Sequence, residues 1–172
     1  MIDRKLLAAA KHLLDLCRER GLQIATAESC TGGLVAGVLT EVAGASDVVE
    51  RGFVVYSNAA KESMLGVPAS ALKRHGAVSA ETAIAMATGA LENSEADISV
   101  SITGIAGPGG GTKEKPVGLV HFAAARRHGK PIARRRLFGK IGRRRVRERS
   151  VAEALELLEK VALSVGPAKR KF

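Results

Sequence analysis

Two hydrophobic periods alternate along the chain. From residue 3 to residue 20, Leu6, Ala10, Leu13, Leu14 and Cys17 recur at three- and four-residue spacing, which predicts an amphipathic helix stopped by Gly21. Residues 22–27 (LQIATA) are a short apolar run of the kind buried in a sheet. Helical spacing returns at Leu34, Val35, Val38, Leu39 and Val42, and Gly44-Ala45-Ser46 breaks it. Residues 48–56, with FVVY at their end, predict a second strand. Asn58 predicts the cap of a short helix through Leu65, and Pro68 opens another helical turn ending near Gly76. Ser79 predicts the cap of a helix over 80–92. Residues 97–103 (DISVSIT) predict a buried strand, and 117–125 and 131–138 predict a hairpin around Arg127-His128-Gly129-Lys130. A last helix is predicted from Gly142 to Val165 on the stripe Val151, Leu155, Leu158, Val161, Ala162 and Val165.

Helices interleaved with strands, closed by one hairpin, predict an α/β fold: a three-layer α/β/α single domain with a mixed, mostly parallel sheet. The 172 residues suit one domain over 1–165, with 166–172 as a basic tail. Aromatic residues are only 3% of the chain, so the core has to be built from Ala, Leu, Val, Ile and Gly. The two cysteines, Cys17 and Cys30, make no disulfide framework, and neither they nor the scattered histidines have metal-ligand spacing. No apolar run reaches the ~18–20 residues of a membrane span, and charges interrupt the first apolar stretch where a secretory signal would have none. The expectation is a soluble cytoplasmic protein with no metal, no cofactor and no membrane partner.

Charge changes this picture in one place. Residues 126–149 hold 12 Lys and Arg and a single acid, Glu148, whereas the remainder holds 15 bases and 16 acids. Such a segment attracts phosphate. Three readings stand: a solvated basic hairpin and helix start, a site for a small phosphorylated ligand, or a nucleic-acid surface. The last is the least favoured, because no aromatics are interleaved for base stacking.

Chemistry concentrates where strands end. Glu28-Ser29-Cys30-Thr31-Gly32-Gly33 joins a strand to a helix. A hydroxyl there can be a nucleophile whose oxyanion meets unpaired helix-start amides, or Ser29 or Thr31 can simply cap the helix. Cys30 is either a rival thiolate or a buried thiol. Tyr56-Ser57-Asn58-Ala59-Ala60-Lys61 follows the second strand; Lys61 is either a desolvated base for a serine or a solvated lysine. Thr103-Gly104-Ile105-Ala106-Gly107-Pro108-Gly109-Gly110-Gly111 is either an anion and amide cradle or a surface loop. Arg143 and Arg147, one turn apart in the first turns of a helix, oppose its dipole, which an anion or merely water and salt would relieve.

Taken together, AESCTGG (27–33), YSNAAK (56–61), GAVSAETAIAMA (76–87) and TGIAGPGGGTKEKPVG (103–118) resemble the CinA C-terminal domain family, in order and over nearly the whole chain. That family includes nicotinamide-nucleotide amidases, and this chain is similar to their stand-alone form. The resemblance implies hydrolysis of the carboxamide of nicotinamide mononucleotide to the acid and ammonia. It implies Ser29 as nucleophile assisted by Lys61, with Tyr56 relaying a proton to the leaving ammonia, and no metal. It further implies that Cys30, Thr31, Gly32, Gly33, Thr103, Gly104, Gly107, Gly109 and Gly110 line the substrate site, with Arg143 on the phosphate. Many members read Gly-Asp-Arg before the last helix, whereas this chain reads Gly139-Lys140-Ile141-Gly142-Arg143. A homodimer is expected. The alternative is a non-catalytic nucleotide-binding regulatory module of the same competence/damage-inducible family.

Overall fold

Five strands and six α-helices build three layers in the computed structural model, which describes residues 3–166. In chain order they are α1 (Arg4–Arg20), β1 (Ile24–Glu28), α2 (Leu34–Thr40), β2 (Val49–Val54), α3 (Asn58–Leu65), α4 (Ala69–His75), α5 (Ala80–Glu92), β3 (Ile98–Gly104), β4 (Leu119–Arg126), β5 (Ile132–Leu137) and α6 (Arg143–Ser164). One 3₁₀ turn, Ala45–Asp47, separates α2 from β2. Most of the basic tail expected over 166–172 lies outside the described residues.

The sheet order is β2-β1-β3-β4-β5. β1 is parallel to both β2 and β3, while β4 is antiparallel to both β3 and β5. Four strands therefore run the same way and β4 alone opposes them. β1, β2 and β3 end on one side of the sheet, where ligands of open α/β sheets sit.

The element ends follow local chemistry. Asp3 caps α1 and Gly21 closes it in the left-handed conformation at φ 65. Ser79 caps α5, its hydroxyl accepting the Thr82 amide at 3.1 Å. At α3 the sequence expectation is corrected: Ser57, not Asn58, is the cap, accepting the Ala60 amide at 3.0 Å. Both residues are good caps, and the choice goes to the one with extended backbone (φ −88, ψ 162).

Two apolar clusters cover the sheet. On one face α1, α2 and α6 pack Leu13, Leu14, Val38, Leu39, Leu155 and Leu158 against Ile98, Val100 and Ile102 of β3. On the other, α3–α5 pack Leu65, Leu72, Met86, Ala87 and Ala90 against Ala25, Ala27, Ala123 and Ala125. Because side chains alternate along a strand, Ser99, Ser101 and Thr103 of β3 all face this second layer. Each buried hydroxyl finds a carbonyl: Ser99 that of Ala87 at 2.7 Å, Ser101 that of Ala83 at 2.6 Å and Thr103 that of Ala77 at 2.7 Å. Such bonds contribute about 0.5–1.5 kcal/mol each; the first two fix the register of α5 on β3 and the third holds the segment leading into α5. No helix among the described residues is long and apolar enough to cross a membrane.

Candidate active site

At the ends of β1, β2 and β3 lies a cleft of about 280 Å³. Its floor is a serine–lysine pair. Ser29 directly follows β1, held by its own amide donating to the Ile102 carbonyl at 2.9 Å. Lys61 enters from α3 and points its amine inward, where Nζ donates to Ser29 Oγ at 3.1 Å. The remaining Nζ contacts are the carbonyls of Val55 at 3.0 Å and Tyr56 at 3.3 Å. No carboxylate pairs with Lys61 among the described residues, and the residue is 1% exposed. Burial therefore holds its pKa below the usual lysine value. The solvated-lysine reading is overturned: α3 is short, and its Lys61 and Leu65 form the buried edge.

The turn after β1 is organised by a residue that sequence reasoning passed over. Glu28 is fully buried, and its carboxylate accepts the amides of Gly33 at 3.0 Å, Val35 at 3.1 Å and Ala36 at 2.9 Å. It caps α2 in place of Ser29 or Thr31, neither of which does so. Gly33, at φ 91, supplies the left-handed bend that brings the helix start back onto Glu28. The signal available was an acid six residues before a helix, outside the spacing of ordinary capping boxes. Within this turn the Gly32 amide donates to the Ser29 carbonyl at 3.1 Å. The amides of Cys30 and Thr31 have no carbonyl or carboxylate acceptor among the described residues. The Cys30 amide lies directly after the nucleophile candidate on a residue that lines the cleft, the position of an oxyanion-hole donor.

The other expected residues divide. Cys30 lines the cleft as a buried thiol, its pKa pushed up to about 12 chiefly by desolvation, and is no thiolate. Thr31, Gly32 and Gly33 are not cleft residues: they turn beneath it, and the Thr31 carbonyl accepts from Arg147 Nη2 at 2.9 Å. Thr103 and Gly104 form the third wall, with the Thr103 hydroxyl committed to Ala77. Gly107, Gly109 and Gly110 line the mouth. Gly107 has φ +84, and a Cβ there would stand 2.7 Å from Val117 Cγ1, so the loop closes only with glycine. Lys115 ties this loop to the end of α4 by donating to the His75 carbonyl at 2.5 Å. Asn58, Ala77 and Val78 also line the cleft and were not singled out as site residues.

Arg143 spans the mouth. Its guanidinium donates to the Gly107 carbonyl at 3.0 Å and to the Tyr56 hydroxyl at 3.3 Å. Tyr56 itself is 63% exposed. The pairing of Arg143 with Arg147 as one anion site is not what forms: Arg143 faces the cleft, whereas Arg147 braces Thr31 behind it.

A buried serine beside an unpaired, desolvated amine, with the Cys30 amide and an arginine around one cleft, suits acyl transfer from a small anionic substrate. The CinA C-terminal domain family model matches residues 7–162. Nicotinamide-nucleotide amidohydrolase PncC of Escherichia coli K12 is 49% identical over 158 residues, covering 92% of this chain and 95% of that protein. A CinA-like protein of Anaeromyxobacter dehalogenans is 55% identical over 139 residues, 81% of this chain but only 34% of its own length. Among solved structures, competence/damage inducible protein CihA of Agrobacterium tumefaciens superposes with a TM-score of 0.91 at 49% identity, covering 95% of this chain and 98% of that one.

Proposed function

This chain belongs to the CinA C-terminal domain family, and we propose that it is an amidohydrolase converting nicotinamide mononucleotide to nicotinic acid mononucleotide and ammonia. The observation that carries the reading is the 3.1 Å contact between the Lys61 amine and Ser29 Oγ, with no carboxylate paired to the amine among the described residues. Neutral Lys61 takes the Ser29 proton as Oγ attacks the carboxamide carbon. The developing oxyanion accepts from the Cys30 amide, such a donor being worth about 3–4 kcal/mol where it has been removed. The C–N bond breaks, and the nitrogen leaves as ammonia with the proton returned through Lys61 or the Tyr56 hydroxyl. Water then attacks the Ser29 ester, Lys61 takes its proton, and Ser29 departs with the acid released. Arg143 holds the phosphate at the mouth, and the glycine loop covers the ribose. In this reading the protein works as a cytoplasmic homodimer.

Ammonia release from nicotinamide mononucleotide is the test, with wild type and Ser29→Ala side by side. Turnover in wild type and a loss of at least ~10³-fold in the variant is expected. A folded wild type that binds the mononucleotide and releases no ammonia is instead a nucleotide-binding module.

A further inference from the structure

Resting on that reading, we infer that Asn58 is the side chain that recognises the substrate's carboxamide and so sets specificity for amides. Asn58 lines the cleft with Ser29 and Lys61. It is the first residue of α3, three positions before Lys61, so the two side chains share one face of the helix. Its position is that of a residue expected to cap, yet Ser57 takes the cap. The Asn58 carboxamide makes no hydrogen bond among the described residues, although it is exposed to the cleft.

The chemistry of the other walls leaves this role open. Ser29 and Lys61 act on the carbonyl carbon, and the Cys30 amide serves its oxygen. All of these donate or attack; none accepts from the amide nitrogen of a substrate. The two wall hydroxyls are engaged, Thr103 donating to the Ala77 carbonyl and Tyr56 accepting from Arg143, and neither offers the paired donor and acceptor that match a carboxamide. Asn58 Oδ1 is an acceptor and its Nδ2 a donor, the self-complementary match to another carboxamide. Held there, the substrate's C–N bond is aligned for departure of nitrogen.

A chemical double-mutant cycle tests this. Nicotinamide mononucleotide and the pyridine mononucleotide lacking the carboxamide are titrated into Ser29→Ala and into Ser29→Ala/Asn58→Ala, the serine change keeping the amide intact. Removing the carboxamide should weaken binding to the first protein about tenfold more than to the second. Ser57 keeps the cap, and Ala suits a helix start, so both proteins fold; circular dichroism checks it. A structural role for Asn58 would weaken both ligands alike, and a coupling within twofold of unity overturns the inference. Absence of any mononucleotide binding overturns it together with the substrate assignment. Coupling without ammonia release from wild type leaves Asn58 as an amide reader and removes only the hydrolase.

Discussion

Lys61 carries its amine into the sheet end with two carbonyls and one hydroxyl for company. Desolvation lowers its pKa from the ordinary 10.5. Activity should therefore rise with pH as the amine deprotonates, and the lower limb of the kcat/KM profile should titrate below the ordinary lysine range. Lys61→Arg, a cation at every working pH, should lose at least ~10²-fold in kcat. Linkage gives the same group a second signature. The unfolded chain binds the Lys61 proton more tightly than the native one, so stability rises with pH between the lowered value and 10.5. Lys61→Met has no such proton to release. The melting temperature of wild type minus that of the variant should increase from about pH 7 to about pH 10. Glu28 is the second residue to test. Glu28→Gln puts an NH₂ against amides that need an acceptor, and urea unfolding should show a loss of about 2–3 kcal/mol. Because those amides hold the turn that follows Ser29, kcat should fall as well.

Elements carry the site by being packed closely rather than by being long. Gly89 of α5 sits against the end of α3: a Cβ there would collide with the Leu65 carbonyl. Gly89→Ala should cost about 1–3 kcal/mol by overpacking and lower activity by shifting Lys61, as melts and ammonia release would record. Most elements could be read from the chain, because Gly21, Ser79 and Pro68 are local signals and the helical stripes of α1, α2 and α6 face a single layer. Strand positions could be read for the same reason, β3 with an apolar face and a hydroxyl face. The serine–lysine pair was suggested by family likeness and by the strand-end rule, while its burial was not legible. Nothing in Asn58–Leu65 distinguishes a solvated lysine from a buried one; only the packing of α3 on α5 decides it. Glu28 was hidden for a related reason, since its three partners come together only when the chain bends at Gly33.

For the molecule as a whole, the basic segment is less of a surface than its composition suggests. Arg134 and Arg136 of β5 pair with Glu153 of α6 at 2.9 and 2.8 Å, Arg134 also with Glu156. Arg127 donates to the carbonyls of Leu91, Ser94 and Ala96, tying the β4 end to that of α5. Arg144 pairs with Glu148, and Arg143 and Arg147 serve the cleft and its back wall. Half of the segment's twelve cations are thus engaged within the fold. The rest do not share one face: Arg135 points to the α5 side of β5, while Arg145 and Arg149 lie on α6. DNA binding followed by fluorescence anisotropy should accordingly show a log–log salt slope of magnitude no more than about 3, not the ~10 of a contiguous patch.

The single reversed strand has one more effect. Because β4 returns beside β3, the glycine loop leaves and re-enters the sheet at neighbouring points, pinned where Ile105 donates to Leu119 at 2.9 Å and Gly118 to Ile105 at 2.7 Å. A crossover to a parallel neighbour would have spent those residues on a helix over one face. Here they form a roof whose two feet stand side by side on the sheet end. Insertions or deletions between the feet can widen or narrow the chamber without disturbing a strand, so the size of the chamber can drift independently of the serine–lysine pair beneath it.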